Sequence, residues 1–196
     1  MDLKGKKVLV FGAGKSGIGA ADLLGSAGAQ PVIYDGNADL DKEAVLHKTN
    51  GKYTPEIWAG DFPERALDSL DLVVLSPGVP TDLPLVKSFY EKGLPVWSEV
   101  ELAYRTGKGE VLAITGTNGK TTTTALLGKI MGDARESVFV VGNIGTAYTS
   151  KSLEMREDSV TVAEISSFQL ETVEQFRPKV SAILNITEDH LNRHHT

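Results

Sequence analysis

A chain of 196 residues with 41% hydrophobic and 23% charged residues can build a packed core, which excludes disordered, collagen-like and disulfide-stapled classes. Lysine and arginine total 20 against 26 aspartates and glutamates, so the net charge is −6, and no basic stripe suggests a nucleic-acid or membrane partner. Cysteine is absent, which removes disulfides, thiol nucleophiles and thiolate metal sites and is compatible with a reducing compartment.

Lys4, Lys6 and Lys7 ahead of Val8-Leu9-Val10-Phe11 imitate the start of a signal peptide. The apolar run ends at Gly12-Ala13-Gly14, too soon for a secretory or membrane-spanning segment, so we read a first strand in a cytoplasmic chain. Strands are expected at Lys7–Phe11, Pro31–Tyr34, Leu72–Leu75, Pro95–Trp97, Val111–Thr115, Val138–Val141, Val160–Ile165 and Val180–Ile186. Helical patterns lie between them, at Ile18–Ser26, Leu40–Thr49, Leu83–Lys92, Glu99–Arg105, Thr122–Met131 and Phe168–Phe176. Strands that are apolar throughout and alternate with helices predict an α/β fold of parallel sheets covered on both faces. Thr106-Gly107-Lys108-Gly109-Glu110 reads as a linker. It divides a Rossmann-like domain, residues 1–107, from a partial P-loop ATPase-type α/β domain, residues 108–196, which looks incomplete after its last strand.

Gly12-Ala13-Gly14-Lys15-Ser16-Gly17 fits G-x-G-x-x-G between a strand and a helix, with Asp35 ending the next strand. Glycines let backbone approach a phosphate, the helix amino end supplies N–H donors, and an acid at that distance suits a ribose. The alternative is a glycine turn that packs helix on sheet, with Asp35 capping its own loop. Ser76-Pro77-Gly78 leaves another buried strand toward the same crevice, although an ordinary Pro-Gly turn also explains it.

Gly116-Thr117-Asn118-Gly119-Lys120-Thr121-Thr122 follows the strand Val111–Thr115 and looks like a P-loop. The usual G-x-x-x-x-G-K-[ST] spacing would need glycine at position 114, which is Ile114. The physical parts remain: backbone N–H groups, Lys120 for β/γ-phosphates and the Thr121 hydroxyl for Mg²⁺. Thr121 to Thr124 are poor helix formers, which makes a merely structural helix entry an unattractive explanation. Glu164 falls in an apolar strand, so its carboxylate either meets a partner or metal or reaches solvent at the strand end. His190 and His194 have helical i, i+4 spacing, but no third ligand supports zinc, and His190 could face the phosphates instead.

ITGTNGKTTT (Ile114–Thr123), GNIG (Gly142–Gly145), EISSFQLE (Glu164–Glu171) and NITEDHLNRH (Asn185–His194) occur in one order. Together they resemble the ATP-dependent Mur ligases along essentially the whole chain, and the short P-loop is similar to that family's own variant. SSFQLE points to the branch that adds D-glutamate to UDP-N-acetylmuramoyl-L-alanine, and the amino-terminal glycine loop argues against folylpolyglutamate synthases. The resemblance implies an ATP- and Mg²⁺-dependent amide-bond-forming ligase of peptidoglycan precursor synthesis, acting through an acyl phosphate. It implies catalytic roles for Lys120, Glu164 and His190, with ATP held by Gly116, Thr117, Asn118, Gly119, Lys120, Thr121 and Thr122. Thr121 and Glu164 would serve one Mg²⁺ and His190 a second. Asn143 and Ser166 would touch the muramoyl substrate, and Lys15, Ser16, Asp35, Ser76, Pro77 and Gly78 would hold UDP rather than NAD. A monomer is expected. The family's bridging lysine and third domain lie beyond this sequence, so an amino-terminal piece, inactive alone, is expected too. An NAD-dependent oxidoreductase and a binding-only nucleotide domain are the alternatives.

Overall fold

The computed structural model describes residues 2–143 and 145–195; Met1, Thr196 and Ile144, within the Gly142–Gly145 motif, lie outside the described residues. The first five strands are β1 (Lys7–Phe11), β2 (Gln30–Asp35), β3 (Glu56–Ala59), β4 (Leu72–Leu75) and β5 (Val96–Ser98). They pair in parallel in the order β3-β2-β1-β4-β5. Successive residues of a strand point to opposite faces, and here both faces are buried. Val8 and Val10 join one core cluster with Ile33, Leu72 and Val74, whereas Leu9 and Phe11 join another with Val32, Val73 and Leu75. Helix α1 (Lys15–Ser26) adds Ile18, Ala20, Ala21, Leu23 and Leu24 to the first cluster, and α2 (Lys42–Lys48) adds Val45. Helix α3 (Pro84–Glu91) lays Val86 and Phe89 on the second. Each such aliphatic or aromatic side chain removed from water contributes about 1.5–3 kcal/mol.

The second sheet contains β6 (Glu110–Thr115), β7 (Val138–Gly142), β8 (Val160–Glu164) and β9 (Val180–Ile183), all parallel, in the order β7-β8-β6-β9. Helix α5 (Lys120–Ala134) packs closely through Thr124 and Gly128, where a side chain on Gly128 would meet Val140. Helix α4 (Glu99–Thr106) stands between the two sheets. Its Leu102 belongs to the first sheet's core, while Val100 and Ala103 join Val111, Val141, Tyr148 and Ile165 in the second.

Three expectations need correction. Strand β3 was not foreseen. It puts Ile57 on one core and Trp58 on the other, but it is a short edge strand of partly buried residues. The helix expected over Phe168–Phe176 is only α6 (Ser167–Leu170). The Glu101 carboxylate accepts the backbone N–H groups of Glu174, Gln175 and Phe176, and the Thr172 carbonyl accepts Ser98 N–H, so these groups are committed outside a helix. The strand expected to reach Ile186 ends at Ile183, because Asn185 turns to pair with Asn118; a short helix, α7 (Leu191–His194), follows.

Candidate functional site

The first glycine loop runs from β1 into α1, and its shape follows from two contacts. A side chain on Gly17 would lie 1.8 Å from the Gly12 carbonyl oxygen, so only glycine lets α1 start this close to the strand end. The Asp35 carboxylate accepts N–H groups from Ala13 at 3.0 Å and Asn37 at 3.0 Å. Asp35 therefore braces the glycine loop as well as its own turn. Ser76 stands directly beside Gly12, its hydroxyl 3.4 Å from the Gly12 carbonyl. Lys15 reaches across to the second domain and donates to the Gly145 carbonyl at 3.0 Å.

The second loop joins β6 to α5, and Gly119 caps the helix in the left-handed region at φ +83°, a conformation glycine adopts without strain. Lys120 folds over the loop and donates to the carbonyls of Gly116 at 2.6 Å and Thr117 at 2.9 Å. Asn185 pairs reciprocally with Asn118, N–H to Oδ1 at 2.8 Å and Nδ2 to carbonyl at 2.9 Å. Thr117 and Thr187 exchange a further pair of hydrogen bonds. The chain after β9 thus clamps the phosphate-type loop.

Glu164, at the end of β8, is 1% exposed. Its carboxylate accepts from the Thr121 hydroxyl at 2.9 Å and from Asn143 Nδ2 at 3.0 Å, and its carbonyl accepts Asn143 N–H. A buried carboxylate costs several kcal/mol unless compensated. Its polar partners here come from α5 and the turn after β7. Two hard oxygen donors 2.9 Å apart at the start of α5 suit one Mg²⁺. Among the described residues no group of three or more His, Cys, Asp or Glu side chains is placed to hold a metal ion, and His190 packs on α6. Its ring lies against Phe168, centroids 4.8 Å apart, and its backbone is left-handed at φ 50°.

Lys120, Gly116, Thr117, Asn143, Ser166, His190 and Pro77 line one open cavity of about 680 Å³. A smaller cavity of about 90 Å³ is lined by Lys15, Ser16, Pro77, Asn143 and Gln169, and joins the first glycine loop to the second domain. Gly78 and His190 border a third of about 520 Å³. Asp35 and Ser76 line none of these three; they brace the loop behind. Thr122 is exposed on the first turn of α5.

Sequence reasoning missed several residues around the cleft. Phe168 is packed by His190, by His194 at 5.4 Å and by the Arg193 guanidinium at 5.0 Å. Arg193 also binds Glu171 through two nitrogens and donates to the Val79 carbonyl, tying the two domains together. Glu99 and Glu101 are buried on α4, and Gln169 donates to Glu99 at 2.6 Å. Acids set between Val100, Leu102 and Ala103 in a short helix were the available signal.

Family comparisons match both halves of the chain. The model described as Mur ligase MurD-like, N-terminal domain matches residues 6–98, and the Mur ligase middle domain matches residues 114–196. The chain is 60% identical over its whole length to a UDP-N-acetylmuramoylalanine–D-glutamate ligase of Lachnospira eligens and 58% identical to one of Lachnoclostridium phytofermentans. It spans 43% of the length of each. Among solved structures, the UDP-N-acetylmuramate-alanine ligase of Thermotoga maritima aligns with 97% of this chain and 43% of its own at TM-score 0.51 and 25% identity. A second, the UDP-N-acetylmuramate:L-alanyl-gamma-D-glutamyl-meso-diaminopimelate ligase of Neisseria meningitides, aligns with 96% of this chain and 63% of its own. Its TM-score is 0.57 at 19% identity, which supports the fold. Each glycine loop thus opens a domain that one family places in this order, and the chain belongs to the Mur ligases.

Proposed function

We propose that this chain carries the nucleotide-sugar and ATP sites of a ligase that adds D-glutamate to UDP-N-acetylmuramoyl-L-alanine. The observation that carries the reading is Glu164. It is buried at the strand end and bonded to Thr121 and Asn143, beside a lysine-bearing glycine loop. A dinucleotide-dependent oxidoreductase would leave that whole arrangement without a purpose. The names of the relatives at 60% and 58% identity supply the substrate class.

On this reading the backbone N–H groups of Gly116–Gly119 and the Lys120 ammonium surround the β- and γ-phosphates of ATP. Thr121 and Glu164 would hold a Mg²⁺ ion, which when bound would supply positive charge opposite the negative charge that develops during phosphoryl transfer. Lys120 is held over the loop by two carbonyls and turns from them to phosphate oxygens, a charge-assisted exchange. Asn143 and Ser166 line the same cavity and orient the muramoyl-alanine carboxylate toward the γ-phosphate, and His190 lines it with them. The first domain holds the UDP portion through Lys15, Ser16 and the Pro77-Gly78 turn, with Asp35 and Ser76 fixing the loop. The setting is cytoplasmic. Among the described residues no helix is long and apolar enough to cross a membrane.

The test is calorimetric titration of the chain with UDP-N-acetylmuramoyl-L-alanine, UDP and NADH in turn. Saturable binding of both uridine compounds and none of NADH is expected. Binding of NADH with no response to either uridine compound would overturn the assignment.

A further inference from the structure

Glu99 is 4% exposed, at the start of α4 between the two domains, and has no role in the chemistry above. One carboxylate oxygen accepts a 2.6 Å hydrogen bond from Gln169 Nε2, across 70 residues of chain. Among the described residues the other oxygen is buried and makes no hydrogen bond. Gln169 is 3% exposed, and its own carbonyl oxygen accepts the Ser166 backbone N–H at 2.7 Å. The Ser166 hydroxyl completes the box by accepting Gln169 N–H. A glutamine amide has one acceptor and one donor end, so holding the donor end on Glu99 fixes the acceptor end on Ser166. The buried carboxylate thereby chooses the orientation of Gln169. Burial pushes the Glu99 carboxyl up to about 7, against the Gln169 bond and the backbone N–H groups of Glu99 and Val100.

This short chain of bonds ends in the site. Ser166 lines the large cavity with Lys120 and Asn143, and Gln169 lines the smaller one with Lys15, Ser16 and Asn143. We propose that Glu99 is a positioning residue: acting through Gln169, it sets the Ser166–Gln169 turn against the cleft where the two domains meet their substrate. The inference rests on the substrate reading above, but its structural half stands separately. An apolar pair of similar volume would pack at this junction without a buried oxygen that makes no bond, so what the polar pair adds is direction.

The experiment compares Glu99→Gln, Glu99→Leu and Gln169→Ala in the intact chain by amide hydrogen exchange at Ser166 and by affinity for UDP-N-acetylmuramoyl-L-alanine. Glu99→Gln keeps a carbonyl for Gln169 Nε2, so both readouts should stay within about twofold of wild type. Glu99→Leu and Gln169→Ala should each speed Ser166 exchange at least about tenfold and weaken binding about tenfold. If Glu99→Leu does not fold, Gln169→Ala carries the test alone, and adding Glu99→Gln to it should change neither readout. Unchanged Ser166 exchange in a folded Glu99→Leu or Gln169→Ala variant would overturn the proposal, as would a Glu99→Gln variant that departs from wild type as far as Glu99→Leu does. If wild type binds no uridine compound, the substrate assignment fails while the exchange comparison still decides whether Glu99 positions the turn.

Discussion

At the scale of single residues, Glu99 has a sign that differs from its neighbours. Burial raises its carboxyl from the ordinary 4.5 to about 7. The folded state therefore binds that proton more tightly than the unfolded state does. Its contribution to stability is complete below about pH 4.5 and is lost as pH rises toward 7. Urea unfolding of wild type and Glu99→Gln across that window should show wild type losing ground as pH rises, because the amide does not titrate. Parallel pH profiles would contradict this. The place of Lys120 at the start of α5 was legible from its loop even though the usual spacing fails, because a glycine turn after a buried strand marks a helix entry. The role of Asp35 was only half legible. Its position at the strand end was clear, but its bond to Ala13 depends on how closely β1 and β2 bring two loops together.

At the scale of elements, Glu101 explains why the segment after α6 leaves the helical path. Burial opposes its ionisation, but Arg105 and the N–H groups of Glu174, Gln175 and Phe176 outweigh burial and hold its carboxyl below the usual range. Glu101→Ala strands those donors and should cost about 3 kcal/mol or more in urea unfolding, with faster exchange at residues 174–176. A loss below about 1 kcal/mol would deny Glu101 that role. The helical spacing of Phe168–Phe176 was a local signal overruled by a partner 73 to 75 residues away, which no window of sequence reveals. The core strands posed no such problem, since runs such as Leu72–Leu75 are buried on both faces and read as such. Gly17→Ala is a second test at this scale. Its methyl would collide with the Gly12 carbonyl, so the amino end of α1 must shift, and affinity for the uridine compound should fall at least about tenfold.

At the scale of the whole molecule, the two sheets share α4, with Leu102 in one core and Val100 and Ala103 in the other. Arg193 and Lys15 add polar ties across the junction. Thermal unfolding should therefore be one transition. Trp58 and Trp97 both lie against the first sheet, so their fluorescence should change together with the far-UV signal of both domains. Two separated midpoints would show that α4 does not couple the cores. The central claim is a division of labour, with ATP on the second glycine loop and the uridine nucleotide on the first. It is tested most directly by calorimetric titration of Lys120→Ala and Asp35→Ala with Mg²⁺·ATP and with UDP-N-acetylmuramoyl-L-alanine. Lys120→Ala should lose about tenfold or more in ATP affinity and keep the uridine compound, while Asp35→Ala shows the reverse. Loss of the uridine compound in Lys120→Ala with ATP binding intact, or loss of ATP alone in Asp35→Ala, would contradict the account.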